Sequence, residues 1–383
     1  MTQAIPQAHP ARPLRVAVWS TGTVGRHAIA GIDAHPGLDL VAVWTSTPQK
    51  DGVDAGRLAG LGRDLGVLAT TDGDAVLALE PDCIVHAAMT DDRVFGAIED
   101  LTSFLRAGTN VVSSGPVVLV HPRGTLPDAI VEDLEEAGRA GGASLHVNGI
   151  DPGFANDVLP LVLSSLSQRI DTVRVSEIAD YSTYYQPVVM RQIFGFGEPM
   201  DSRPMLWEPG VLAMAWGPVV RLLAAGLGVT LDEPLLEQVE RRPAPYDLST
   251  ASVEIAAGAM ASVRFQVIGA VDGEPRIVLE HVTRTAADLE PDWPTPLAGD
   301  GCYRVEIIGE PRMSLELTHH GEHGDHNVSG MIVTAQRLIN AVPAVVAAAP
   351  GLVSPLDLPL ITGRGLVSTH TGPRTSTTAG ASA

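Results

Sequence analysis

The chain has 383 residues, more than the roughly 250–300 at which a single packed core stops growing, so two domains are expected. Its net charge of −20 argues against nucleic acid or an anionic membrane surface as the main partner, because both need basic patches that release counterions. Hydrophobic residues make up 45% and charged residues 18%, enough for a large core and too little charge for a disordered chain. Two cysteines, Cys83 and Cys302, offer neither a disulfide framework nor a thiolate metal cage, and residues 1–13 lack the apolar run of a secretory signal; a cytoplasmic protein is expected.

Up to residue 150 short β-branched runs alternate with helical stretches, the pattern of a parallel sheet built from βαβ units. Strands are predicted at 15–19, 40–45, 83–87, 110–113 and 144–147, nearly continuously apolar as in a sheet covered on both faces. Helices are predicted at 24–34, 92–107 and 126–140, the last two closed by Ala107-Gly108 and Ala140-Gly141. Right-handed crossovers make this a doubly wound α/β fold. Beyond 150 the texture changes to a helix at 156–167, an alternating strand at 172–179 and a Pro- and Met-rich stretch at 186–216. The apolar window 210–231 is interrupted by Pro218 and Arg221 and reads as buried helix rather than a membrane span. Runs at 251–271, 276–285, 302–308 and 314–317 read as antiparallel strands with turns at Asp272-Gly273 and Gly309-Glu310-Pro311. A second α+β domain with a largely antiparallel sheet is therefore expected over 151–328, with a segment at 329–368, led by a long apolar helix, packing back on the first domain, and a mobile tail at 369–383.

The strongest local signal follows the first strand: Ser20-Thr21-Gly22-Thr23-Val24-Gly25 opens a helix, the geometry that cradles a pyrophosphate. Gly22, Thr23, Val24 and Gly25 are its candidate ligands, which makes 14–150 an NAD(P)-binding Rossmann domain. At the end of the second strand, where an NAD site normally carries an acid, the chain reads Thr45-Ser46-Thr47-Pro48-Gln49-Lys50. Ser46, Thr47 and Lys50 suit a 2′-phosphate, so NADP is favoured and NAD left open. His86, Ala87 and Ala88 stand where the strand at 83–87 runs out at its carboxyl end, where such sheets bind ligands. Asn148 and Asn156 flank a Gly/Pro loop that either presents amides to the nicotinamide or serves as a hinge with a helix cap. Strand alternation puts Glu177 on the face of Val173 and Val175, which should be apolar; a carboxylate there is either paired with a buried cation or has a raised pKa suited to proton transfer. Asp180 and Tyr184 are the further acid–base candidates, and Ser113, Met190, Phe194 and Phe196 the expected pocket lining, with the substrate between the domains. The segment His319-His320-Gly-Glu322-His323-Gly-Asp325-His326 matches no zinc spacing and reads as a solvated loop, so no metal site is expected.

Taken in order, the glycine loop, Asn148-Gly-Ile-Asp-Pro-Gly-Phe154, Glu177 through Asp180-Tyr-Ser-Thr-Tyr-Tyr185, and Asn340-Ala-Val-Pro-Ala-Val-Val-Ala-Ala-Ala-Pro-Gly351 followed by Asp357-Leu-Pro resemble the 2,4-diaminopentanoate dehydrogenase family and the related mycobacterial-type native amine dehydrogenases, distant relatives of the dihydrodipicolinate reductases. The resemblance covers about residues 14–367. It implies a homodimeric NAD(P)-dependent enzyme interconverting an amine with a ketone or aldehyde plus ammonia, or reducing a related imine. The family's glutamate pair after the Asn-Val-Val strand is absent here, where the chain reads Asn110-Val-Val-Ser-Ser-Gly115-Pro116, so Glu177 or Asp180 would have to supply the charge or the substrate has no primary amine to hold. Two other functions stay open: reduction of a C=O or C=N bond without ammonia, and a non-catalytic NADP sensor.

Overall fold

A computed structural model describes residues 12–322 and 325–367. In chain order its elements are β1 (Leu14–Trp19), α1 (Thr23–Ala34), β2 (Leu38–Trp44), α2 (Ala55–Leu58), β3 (Ala69–Thr70), α3 (Gly73–Leu77), β4 (Cys83–His86), α4 (Val94–Arg106), β5 (Asn110–Ser113), α5 (Asp128–Gly141) and β6 (Ser144–Val147). There follow α6 (Val158–Ser164), β7 (Arg169–Asp180), α7 (Val211–Leu227), β8 (Leu236–Pro243), β9 (Leu248–Ser249), β10 (Glu254–Ile255), β11 (Met260–Val271), β12 (Glu274–Arg284), β13 (Gly301–Glu310), β14 (Met313–Leu317), α8 (His326–Val346) and β15 (Gly351–Leu352). The described residues divide into two compact units. The first holds those up to Pro116, Glu132–Gly149 and those from Thr334 on; the second holds Val117–Val131 and Ile150–Val333. Val117–Val131, expected in the first domain, thus lies with the second, and the tail at 369–383 falls outside the described residues.

The first unit carries a parallel sheet of order β15-β6-β5-β4-β1-β2-β3, the doubly wound arrangement. Its central strands are apolar on both faces because helices cover both. Val16, Val18, Val43, Val85 and Val112 form one core with Ala28, Ile29 and Ile32 of α1 and Ala335, Leu338, Ile339, Val342 and Val345 of α8. A Cβ at Gly31 would meet Ile339 at 2.4 Å, so the glycine lets the two helices close on each other. By length and composition α8 could cross a membrane, but here much of its apolar surface fills this core.

The second unit is built on a mixed sheet of order β14-β13-β7-β12-β11-β8, in which β7 and β12 run parallel and all other neighbours antiparallel. The β11–β12 hairpin turns at Asp272 and Gly273, with φ of 54° and 79°, as a two-residue loop with both central residues left-handed requires. The predicted strand over 251–271 is interrupted after β10, where Gly258 turns at φ 87°. On one face Val173, Val175, Phe265, Leu279 and Val305 pack with Leu212, Val219, Val220 and Leu223 of α7 into the unit's core. The predicted buried helix over 210–231 is α7.

Candidate active site

Two sets of side chains carry chemistry, one in each unit. In the first, Gly22 caps α1 with no side-chain hydrogen bond, leaving the first helical N–H groups to a ligand. A Cβ at Gly22 would meet nothing nearer than Ser20 Oγ at 3.5 Å, whereas one at Gly25 would lie 2.1 Å from Ser20 O. Gly25 therefore lets the loop close on its helix, and the space over Gly22 remains for phosphate. Ser20, standing where the fuller glycine fingerprint begins, holds φ at 113°. Lys50 Nζ donates to Thr21 O and to Thr21 Oγ1, both at 3.1 Å, and Thr21 Oγ1 lies 2.9 Å from Thr45 Oγ1. Burial and then the neighbouring Arg26 lower the Lys50 pKa, so two cations stand together beside the loop. Ser46 is exposed and Thr47 half-buried beside them. Positive charge thus sits just beyond the carboxyl end of β2, where a dinucleotide site meets the adenosine ribose.

The second set centres on Glu177. Cross-strand register places Phe265, His281, Glu177 and Tyr303 in one row across β11, β12, β7 and β13. Glu177 Oε2 lies 3.2 Å from His281 Nε2, and Tyr181 Oη donates to Glu177 Oε1 at 3.1 Å. Of the Glu177 side chain 13% is accessible. His281 stacks on Phe265 with centroids 5.0 Å apart, and its Nδ1 is 2.8 Å from Thr283 Oγ1. Burial pushes the Glu177 carboxyl up, but His281, His326 and the Tyr181 hydroxyl outweigh it and hold it down at about 2. The same burial, with Glu177 next to it, raises the Tyr181 phenol. Nearby, burial and then Glu177 push the Asp151 carboxyl well above the usual carboxylate range. Asn156 Nδ2 donates to Asp151 Oδ2 at 2.7 Å. One ionised and one neutral acid thus share a buried site, the arrangement in which one fold holds a base and an acid at the same pH.

His326 completes the set. A Cβ at Gly301 would meet its ring at 2.4 Å, so that glycine admits the imidazole. Its ring stacks on His319 at 4.4 Å, and His319 Nδ1 is 2.7 Å from Ser329 Oγ. Burial lowers both histidines, His319 to about 4. The expected solvated loop is therefore packed at these two positions, because the rings cover Tyr303 and each other; His323 lies outside the described residues. Among the described residues no group of three or more His, Cys, Asp or Glu side chains is placed to hold a metal ion.

The other predicted site residues fall as follows. Asp180 lies on the opposite face of β7 from Glu177, by alternation, where its Oδ1 accepts from Ser182 N at 2.8 Å and caps a turn. That geometry removes it as an acid–base partner of Glu177. Tyr184 packs against Tyr181 with centroids 4.6 Å apart, but the hydroxyl on Glu177 comes from Tyr181. Met190, Phe194 and Phe196 are buried core side chains, Phe194 lying edge-on to Tyr181 and tilted against His281, so they back the row. His86 is fully buried, its Nδ1 2.8 Å from Ser113 Oγ, and burial holds it down at about 4. Ser113 Oγ also donates to Gly115 O, which makes it a turn residue in the first unit. Ala87 and Ala88 are half-buried after β4. Asn148 Nδ2 donates to Arg337 O at 3.4 Å in the first unit, while Asn156 is engaged with Asp151 in the second. Asp151, Tyr181, His281, Tyr303 and His326 were not singled out from sequence. Of these, Asp151, Tyr181 and His326 stood in segments that the sequence had marked, whereas His281 and Tyr303 did not.

The profile of the 2,4-diaminopentanoate dehydrogenase C-terminal domain matches residues 154–369. An amine dehydrogenase of Streptomyces virginiae is 44% identical over 345 residues, 90% of this chain and 95% of that protein. The 2,4-diaminopentanoate dehydrogenase of Acetoanaerobium sticklandii is 23% identical over 82% of this chain and 88% of that one. Among solved structures, the amine dehydrogenase of Mycobacterium smegmatis superposes with a TM-score of 0.75 at 23% identity, covering 93% of this chain and 99% of that one. With the Rossmann-type sheet, the glycine loop and the Glu177 row in place, the chain belongs to the family of 2,4-diaminopentanoate and amine dehydrogenases, oxidoreductases of the CH–NH2 class.

Proposed function

We propose that this protein is an NAD(P)-dependent amine dehydrogenase that reductively aminates small ketones and aldehydes with ammonia, using NADP in preference to NAD. The observation that carries the reading is the Glu177 row: a half-buried, ionised carboxylate held by His281 and Tyr181 beside a neutral Asp151, in a cluster to which, among the described residues, no lysine or arginine is paired. Such a site attracts a cationic nitrogen and repels a carboxylate substrate. The name of the Streptomyces virginiae relative supports the same class.

The residues of the first unit fit a nicotinamide dinucleotide, since Gly22 leaves room for phosphate at an uncapped helix start and Lys50 with Arg26 supplies positive charge for a 2′-phosphate. Bound there, the cofactor supplies the hydride. Glu177 accepts a proton from ammonium, freeing the lone pair that attacks the carbonyl carbon. Tyr181 and His281 fix the carboxylate's orientation, so no reorganisation is needed at that moment. The chain is proposed to work as a cytoplasmic homodimer; the two free, buried cysteines accord with a reducing compartment. Oxidation of NADPH that requires both ammonium and a ketone from a small panel tests the function. Turnover indifferent to ammonium would instead make this a carbonyl or imine reductase, and tight NADP binding with no turnover would make it a sensor.

A further inference from the structure

Three acids, one buried and two half-buried, stand close together in the second unit, and the fold accounts for two of them. Asp157 is a helix cap: its Oδ2 accepts from Gly153 N at 2.7 Å and its Oδ1 from Val158 N at 2.6 Å at the start of α6. Glu177 has His281 and Tyr181. Asp151 has neither backbone donors nor a cation; it receives one amide N–H from Asn156, and its Oδ1 is buried with no donor. Asn156, itself with no accessible surface, likewise leaves its Oδ1 without a donor. As a neutral acid Asp151 turns its proton toward Glu177, but once that proton leaves, Asp151 Oδ1 and the neighbouring Asn156 Oδ1 are two buried acceptors that no described residue satisfies, and such groups are kept where a ligand supplies the missing donors. What completes them is a group with several N–H bonds and no acceptor demand, which describes ammonia, ammonium or a primary amine.

We infer that Asp151 is a second catalytic residue: its carboxyl, oriented by Asn156 and facing Glu177, receives the N–H groups of the substrate nitrogen together with Asn156 Oδ1, and it gives up its proton when a cationic nitrogen enters. This rests on the amine dehydrogenase reading. The groups that set the Asp151 proton are Glu177 from β7, Asp157 and Asn156 from its own loop and Tyr303 from β13, with His281 and His326 acting through Glu177. When ammonium binds, the Asp151 acid releases its proton to solvent, and two carboxylates face one cation. One carboxylate then takes a proton from ammonium. The lone pair of the resulting ammonia forms the C–N bond as the carbonyl π pair moves to oxygen, and a proton passes from nitrogen to that oxygen to give the carbinolamine. The carboxyl's proton goes to the hydroxyl, which leaves as water, so the iminium forms with every proton accounted for and both carboxylates restored.

Infrared difference spectra of the whole protein, saturated with NADP at neutral pH, read this directly. The wild type should show the C=O band of a protonated carboxylic acid, absent from Asp151→Asn, and ammonium chloride should remove it while tetramethylammonium chloride at equal concentration should not. Asp151→Asn should also lower kcat/KM for ammonium by about 100-fold, with NADP affinity unchanged. Absence of the band, persistence of the band in a folded Asp151→Asn protein, or indifference of the band to ammonium, as a buried water in the nitrogen's place would give, overturns the inference. Should the variant fail to fold, the wild-type comparison of the two salts decides by itself. An ammonium-sensitive band without ammonium-dependent turnover would overturn the amine dehydrogenase reading alone; turnover without such a band would overturn only the role of Asp151.

Discussion

Glu177→Gln separates the chemical role of the carboxylate from its structural one, because the surroundings can satisfy the amide. Its carbonyl oxygen can still accept from Tyr181 Oη, now at 3.1 Å from Oε1. Its NH2 can donate to His281 Nε2 if the imidazole proton sits on Nδ1, where Thr283 Oγ1 lies 2.8 Å away to receive it. The packing volume is unchanged. What disappears is the charge, and losing one charge-assisted contact costs about 1–3 kcal/mol against a total stability on the order of 5–15 kcal/mol, so the variant should remain folded. The wild-type carboxyl, held at about 2 against an ordinary value of 4.5, contributes stability that is present above about 4.5 and lost as pH falls toward 2. The difference in Tm between wild type and variant should accordingly shrink over that acid range. Activity should suffer far more than stability: loss of general acid–base assistance is worth on the order of 100- to 10,000-fold, roughly 3–5 kcal/mol of barrier. The assay is NADPH oxidation with cyclohexanone and ammonium, alongside Tm and the Kd for NADP, which should not move. Turnover within a few-fold of wild type would refute the catalytic assignment. A variant that unfolds would show the His281 pair to be structural.

In Asp151→Asn the group that resists ionisation is gone. The folded-state pKa of Asp151 lies above its unfolded value, so wild type loses stability as pH rises from about 4 toward that folded pKa. The variant should therefore gain relative to wild type by roughly 1–3 kcal/mol at neutral pH and by little at pH 4, readable as Tm against pH; a gap independent of pH would contradict the neutral acid. Lys50→Met removes an ammonium tied to the glycine loop and next to Arg26, and should weaken NADP by about 10- to 100-fold while changing NAD much less, measured as paired Kd values; equal losses would show that Lys50 supports the loop without reading the phosphate. Gly25→Ala puts a methyl 2.1 Å from Ser20 O, so the loop must move off its helix; cofactor binding should fall by at least tenfold and stability by about 1–3 kcal/mol in a thermal melt.

The first unit was readable from sequence because its signals are local. A strand, a glycine turn and a helix start are contiguous in 14–34, and parallel strands covered on both faces announce themselves as apolar runs. β8 was not, since Leu236–Pro243 is an edge strand whose residues are mostly charged or exposed and whose partner β11 lies across a turn-rich stretch. The Pro- and Met-rich stretch at 186–216 is ambiguous in the opposite way. Its Met190, Phe194 and Phe196 read as pocket lining in one dimension, and in the structure they pack into the core on the apolar face of the second unit's sheet, with Phe194 against Tyr181 and His281.

The Glu177 site shows where single-sequence reading runs out. Alternation correctly marked Glu177 as a carboxylate on an apolar face, with two outcomes open: a buried cationic partner or an elevated pKa. The structure puts His281 beside Glu177 and gives the elevated pKa to a different residue, Asp151. His281, more than a hundred positions away, is brought directly opposite Glu177 only by the parallel pairing of β7 with β12, and nothing around His281 in the chain reports that register. With the histidine in place Glu177 stays ionised, and the elevated value passes to Asp151, which then shares the site with a fixed negative charge. The loop 148–157 read either as presenting amides to the nicotinamide or as a hinge with a helix cap, and Asp157 does cap α6; only the approach of β7 distinguishes Asp151 from it. A proton-sharing pair of this kind is therefore a property of strand order rather than of any motif. It predicts that a lesion in sheet register, such as disrupting the β7–β12 pairing, would abolish the acid–base pair even with every site residue retained.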